Sequence, residues 1–415
     1  MKKTLWTKNF TILTAATVFG CMGGIAGSFA LSFLVYDETG STLAAAILIA
    51  IQVIPDFLVP LIAAPIMDRL PRKPFLVGGD FVNGVLYAFA GFYLLTHGFS
   101  YVGYLFFSLL LCSLNAFDAL AYNSIFPKLI TPGFEEKGYT VSSMVYPVLK
   151  VVMMPVAALL LEKVGVGMIL LIQAALSFIA SAVESRIKIE ETRRMEGERF
   201  SFKQWKEDLK EAAVYLKKEK GIRNIYTYMA VTNGVSVGTS PLLIAFFRTA
   251  AGFTVAMYSF FTVVEFIGRS IGGVVRYRMK IPEQKRFAFA YFVYQCYNLM
   301  DAVLLLIPYP LMLVNRAICG FLGINSAALR QAAVQRYIPE ELRARLNACE
   351  TVIHSAAYAV MSLAIGALGE WLPYSACFTI CGIFSALFCL FTMWRNRAHV
   401  KNVYNAHIEE ETEAA

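Results

Sequence analysis

Charge is scarce in this sequence: only 16% of its 415 residues are Asp, Glu, Lys or Arg, against 58% hydrophobic. That balance excludes an ordinary water-soluble globular domain, and a mean hydropathy of +0.58 agrees. A phosphate-cradling G-x-x-x-x-G-K-[ST] loop is missing, and the one sizeable polar segment, 187–222, is too short for a nucleotide-binding domain, which excludes an ATP motor. No His/Asp/Glu cluster has metal-ligand spacing and no nucleophile elbow is present, so neither an enzyme nor a cofactor is expected. The eight cysteines (Cys21, Cys112, Cys296, Cys319, Cys349, Cys377, Cys381 and Cys389) lie in or at the ends of apolar runs. They form no extracellular disulfide framework, and Cys377 and Cys381, on one helix face, read as packing.

What the chain has instead is long apolar runs. A helix that spans a bilayer needs about 20 predominantly apolar residues. Runs of that kind fall at 10–36, 43–67, 75–96, 101–126, 139–162 and 166–186, and again at 223–247, 252–276, 287–307, 309–329, 346–369 and 373–394. The first is too long for the apolar core of a cleavable signal and reads as a first span. The expected fold is therefore an all-α integral membrane protein with twelve transmembrane helices in two pseudo-symmetric six-helix bundles. The bundles are 1–186 and 223–394, joined by a linker over 187–222 and followed by a disordered tail over 395–415 that contains Glu409-Glu410-Glu411.

Orientation follows from the cations. Of 37 Lys and Arg, 32 fall in segments on one side of this layout, and only Lys163 and Arg248 fall on the other. Lys150, Arg269 and Arg316 lie inside spans. So strong a bias places both termini and the linker in the cytoplasm. It also accounts for the net charge of +8 without nucleic acid. Within the linker, Ser201 and Gln204 fit a capping box, and Phe202, Trp205, Leu209 and Leu216 form a stripe opposite Lys203, Lys206, Lys210 and Lys217. Two forms stay open for it: an amphipathic helix on the inner membrane surface, and a plain helix tying the bundles together.

The hairpin between spans 2 and 3, Ala64-x-x-x-Asp68-Arg69-Leu70-Pro71-Arg72-Lys73, has a partner between spans 8 and 9, Gly272-x-x-x-Arg276-Tyr277-Arg278-x-Lys280. With the layout of six spans, a linker and six spans, this supports two repeats about an axis along the membrane normal. The first copy resembles the signature loop of the major facilitator superfamily, usually G-x-L-x-D-R-x-G-R-R/K, with Ala64 and Pro71 in place of two glycines. Residues 338–345 before span 11 and 35–41 after span 1 resemble the macrolide-efflux and enterobactin-exporter branch. The resemblance implies a secondary transporter whose halves rock about a midplane cavity. It also implies a gating motif of Asp68, Arg69, Arg72 and Lys73, with Asp68 docking near the inner start of span 11. A helix N-terminus favours an anion there, and Arg343 or Arg345 pairs with it.

Ionisable residues inside spans need a partner, a wet cavity or a job. At 1.5 Å per residue, Asp56, Lys150 and Glu265 lie about 16 Å above the inner face and Asp118 about 13 Å. Secondary transporters place substrate and coupling-ion sites at that depth. The candidates for proton coupling and the substrate cavity are thus Asp56, Asp118, Lys150, Glu265 and Arg269, with Asp56 foremost because no in-helix partner is in reach. Plainer readings stand beside these: Asp118–Lys150 and Glu265–Arg269 as static pairs, His354 as a packing side chain near Glu350, and Asp301–Arg316 as a mutual pair or an outer gate. Gly20, Gly23, Gly24 and Gly27 give span 1 a face for close helix approach, sliding or static. Tyr122, Tyr146, Tyr258 and Phe261 are aromatics for a cavity wall or for packing.

The function expected is proton-coupled efflux of a small amphipathic or lipophilic compound, by a monomer in a bacterial-type inner membrane. Uptake or facilitated diffusion of a polar solute is one alternative. A transporter-like sensor or lipid-handling protein is the other.

Overall fold

A computed structural model describes residues 4–67, 71–189, 202–278 and 281–405, and helix accounts for nearly all of them, with no strand among the described residues. Among the described residues, nine helices are long and apolar enough to cross a membrane. One of these, Lys137–Glu184, is 48 residues long and holds two spans. The break is at Gly165, whose φ of 75° and ψ of 173° let the chain reverse without a Cβ clash. Helices α2 (Thr42–Met67) and α9 (Val255–Arg278) complete the expected twelve.

Local chemistry sets the ends of the spans. Helix α1 (Lys8–Thr39) starts where the Phe10 N–H donates to Thr7 Oγ1 at 3.2 Å, and stops at Gly40 in the left-handed region, φ 65°. Helix α3 (Lys73–His97) has Pro74 in its first turn, where a missing N–H costs nothing. Helix α4 (Tyr101–Leu129) is capped by Ser100, which accepts from the Gly103 N–H.

The chain forms two compact units. The first comprises Met1–Phe200 with Leu243–Val263. Its helices α1 and α3 pack against α5 (Glu135–Glu184), and α4 packs against α2 and α3. Phe10, Leu13, Leu76, Ile125 and Phe126 fill one end of its core, and Leu31, Leu34, Leu111 and Leu170 the other. Of the four glycines of α1, Gly23 and Gly27 face α5, where a Cβ at Gly23 would collide with the Gln173 side chain. Gly20 and Gly24 face open space. The close-approach face is half as wide as its sequence suggested.

Segment 243–263, which takes in most of α8 (Ser240–Thr249) and the start of α9, comes from beyond the linker, yet it counts with the first unit. An aromatic lock holds it there. Tyr258 lies 5.4 Å from Phe33 and 6.1 Å from Phe29 of α1, and 5.8 Å from Phe247. So the compact units differ from the sequence halves at this one segment.

The second unit comprises Ser201–Leu242 with Val264–Ala415. It contains α6 (Phe202–Lys218), α7 (Lys220–Gly238), α10 (Arg286–Val303), α11 (Tyr309–Tyr337), α12 (Glu340–Gly369), α13 (Tyr374–Cys389) and α14 (Arg397–Tyr404), together with most of α9. Gly268 and Gly320 bring α9 and α11 into backbone contact, since a Cβ on either would strike the other helix's main chain.

The linker and the tail take definite form here. The linker helix α6 buries Ala212 and Leu216 in the core of this unit, beside Ile222, Tyr226 and Leu346. Its apolar side at those two residues thus covers protein; Ser201 lies outside the described residues, and the placement of the Phe202, Trp205 and Leu209 side chains is also not described. The tail expected to be disordered instead begins with α14, which buries Val400, Val403 and Tyr404. Tyr404 Oη lies 2.9 Å from Tyr294 Oη, and that bond needs the tail folded back.

Candidate functional site

The first unit gathers carboxylates. Asp80 sits on α3, Asp118 on α4 and Glu184 at the inner end of α5, each within the electrostatic reach of another. Gly79 makes room for one of them: a Cβ there would stand 3.3 Å from Asp118 Oδ1. One turn away, Asn83 Nδ2 donates to Asn115 Oδ1 at 3.3 Å, continuing the polar seam between α3 and α4. Ser181 Oγ donates to the Val77 carbonyl at 2.7 Å, which ties α5 to the same stretch of α3. Lys73 Nζ donates to the Ser185 carbonyl at 2.8 Å, beside Glu184.

Three polar oxygens of this seam lack donors. Asp118 Oδ1, Glu184 Oε2 and Asn83 Oδ1 are buried and have no hydrogen-bond partner among the described residues. Glu184 is 3% exposed. A buried carboxylate oxygen without a partner is costly when ionised. Asp118 was legible in the sequence. Asp80 and Glu184 were missed, although each is an acid inside an expected span, at 75–96 and 166–186, and that is signal enough.

The second unit pairs its charges. Arg269 bonds Glu265 Oε1 through Nε at 3.1 Å and Nη2 at 2.6 Å, the expected i,i+4 pair. Arg316 Nη2 donates to Asp301 Oδ1 at 2.5 Å and to Asn315 Oδ1 at 2.8 Å. This is the mutual pair among the two readings of Asp301 and Arg316. His354 Nδ1 lies 3.0 Å from the Glu350 carbonyl, within its own helix. Arg330 Nη1 points at Met229 Sδ, 2.8 Å away.

The remaining candidates stand as follows. Lys150 is half-buried on α5, and no ion pair joins it to Asp118. Asp56 is on α2, but its side chain is not among those described, and Asp68 and Arg69 lie outside the described residues. Arg72 precedes α3 and Lys73 begins it. Arg343 is on α12, its Nε buried and without a hydrogen-bond partner among the described residues, while Arg345 Nη1 donates to Glu211 Oε2 of α6 at 2.5 Å. Tyr258 and Phe261 pack on Phe247, and Tyr122 Oη lies 3.0 Å from Ser142 Oγ.

A family model of the Major Facilitator Superfamily matches residues 12–297 and again 287–412. The chain belongs to the major facilitator superfamily. Solved structures agree on the fold. A peptide transporter POT in complex with alafosfalin is 11% identical with a TM-score of 0.73, covering 97% of each chain. The nucleoside transporter NupG is 12% identical with a TM-score of 0.71, over 94% of this chain and 99% of its own. A bacterial homolog of the human lysosomal transporter Spinster is 13% identical with a TM-score of 0.65, over 96% of this chain and 97% of its own. No curated protein sequence matches. This major-facilitator chain is therefore a multi-pass membrane transporter and not an enzyme. Its twelve helices belong to a transport fold, and its buried charges are to be read as parts of one.

Proposed function

We propose that this major-facilitator protein exports a small amphipathic or lipophilic compound in exchange for protons. The observation that supports this is the Asp118 carboxylate, buried against Gly79 with one oxygen unpartnered and two further acids nearby. In a low-dielectric wall such a group binds a proton when its pathway faces the acidic side and gives it up on the other. Alternation of access then couples that proton to the compound. Asp56, Lys150, Glu265 and Arg269 complete the residues that line or tune the cavity. Asp68, Arg69, Arg72, Lys73, Arg343 and Arg345 form the inner gate. The protein works as a monomer in a bacterial-type inner membrane, with both termini cytoplasmic, in line with the 32-to-2 split of its Lys and Arg.

The test is transport in inverted vesicles holding the full-length protein. An imposed pH gradient, acid inside, drives uptake of a lipophilic dye, and Asp118→Asn abolishes the response to the gradient. Uptake that ignores the gradient in the unaltered protein sinks the proton-coupled reading.

A further inference from the structure

We propose that Arg269 is the recognition point for an oxyanion, a carboxylate or its equivalent, on the transported compound. The inference deepens the transport reading by naming a substrate class, and it begins from where α9 sends its side chains. Phe260, Ile267, Ile271 and Val274 are 46–59% exposed and form one apolar stripe along the helix. Gly268 and Gly272 press against α11 on a second side. At 100° per residue Arg269 projects about 160° from Ile267, away from that stripe.

Yet its side chain is 52% exposed, near the middle of a helix that crosses the bilayer, and Glu265 beside it is 28% exposed. Protein leaves half of this side chain uncovered, and a guanidinium at that depth needs water or a polar ligand to face. Asp301–Arg316 provides the contrast: its guanidinium is 12% exposed and shared with Asn315, a closed structural pair.

The bonding at Arg269 leaves it able to take a ligand. Nε and Nη2 both converge on one oxygen of Glu265, so the pair is not the two-oxygen fork that a guanidinium holds best. Among the described residues Nη1 has no protein partner, and Glu265 is the only carboxylate bonded to Arg269. An incoming oxyanion either takes Nη1 and Nη2 beside Glu265 or displaces the Glu265 oxygen. Tyr297 of α10, half-buried, lies within the field of both residues and supplies a further polar neighbour. Glu265 acts as the placeholder that occupies Arg269 when the site is empty.

The test uses phenylacetate, phenylacetamide and phenethylammonium as probes of one shape and three charges. Each is titrated against the purified full-length transporter in nanodiscs, with thermal stability as the readout. Phenylacetate is expected to raise Tm and the amide and ammonium to do so at least tenfold less effectively. Arg269→Gln removes the preference for phenylacetate, and Glu265→Gln strengthens phenylacetate binding because the competing carboxylate is gone. Equal shifts from acid and amide overturn the proposal, as does weaker phenylacetate binding in Glu265→Gln, which marks the pair as purely structural. If Arg269→Gln does not fold, the probe series on the unaltered protein and on Glu265→Gln still decides. No proton gradient enters the measurement, so a transporter without proton coupling and a transporter without this site give different results.

Discussion

Arg248 Nη2 donates to Asp37 Oδ2 at 2.5 Å, and the same guanidinium lies 5.2 Å from the centre of the Phe33 ring. Arg248 is one of the two cations that the sequence places on the outer side, and Asp37 follows the last buried turn of α1. The contact joins a residue before the linker to one beyond it; if that end faces outward, as proposed, it serves as a latch that releases when the outer side opens. Both side chains are about a third exposed, at 30% and 32%. Its worth to stability is therefore only about 0.2–1 kcal/mol. Arg248→Ala should leave Tm nearly unchanged while increasing labelling of the protein by an impermeant reagent from outside. The swap of Asp37→Arg with Arg248→Asp should restore the original labelling; labelling unaffected by the single change removes the latch role.

Asp118→Asn should hold or raise thermal stability. A carboxylate buried without a donor is a destabilising group, and the amide keeps its shape. The same holds for Glu184→Gln, whose Oε2 is unpartnered. A gain of about 1 kcal/mol in either variant is the expected scale, read by thermal unfolding in detergent. A large loss instead means that the carboxylate has a partner that matters to the fold.

The legible part of this molecule was the part written in hydrophobicity and charge balance. Span positions came from run length alone, and the turn at Gly165 fell in the three-residue gap left between the fifth and sixth runs. The Glu265–Arg269 pair was legible because partner and spacing both lie on one helix. Asp80, Asp118 and Glu184 come from three different helices, so their meeting depends on helix rotation, which no run length reports. The docking of α14 was hidden for a similar reason: Val400, Val403 and Tyr404 form a short stripe among polar residues, too brief to stand out from a solvated tail.

The glycines of α1 separate into two kinds. Gly23→Leu should cost about 1–3 kcal/mol, because the new side chain meets Gln173 of the packed α5. Gly24→Ala meets nothing within 4 Å and should be neutral or slightly stabilising. Unfolding transitions of the two variants, side by side, check the direction. Equal losses would mean that the whole glycine face is in contact.

Arg345 is held by Glu211 of α6, with side chains 39% and 53% exposed, so this bond is weak and exchangeable. If Asp68 docks beside Arg343 and Arg345 when the inner side closes, Glu211→Gln should ease that docking. Asp68→Asn should slow turnover several-fold while leaving substrate affinity largely intact. Steady-state transport rates with separate binding measurements distinguish the two parameters. A loss confined to affinity would move Asp68 from the gate into the cavity.

Asp301 and Arg316 allow the sharpest test of what a buried pair is worth. Arg316 is 12% exposed and Asp301 27%, and Asn315 also accepts from the guanidinium. Removing the cation alone leaves a carboxylate in low dielectric with its principal donor gone. Arg316→Ala should therefore cost about 3–5 kcal/mol, far more than an exposed pair such as Asp37–Arg248. Adding Asp301→Asn removes the stranded charge, so the double variant should be more stable than Arg316→Ala alone. Thermal unfolding of the two singles and the double gives the coupling energy directly. Additive losses would mean that the two groups act separately, and the short contact would then carry no stabilisation of its own.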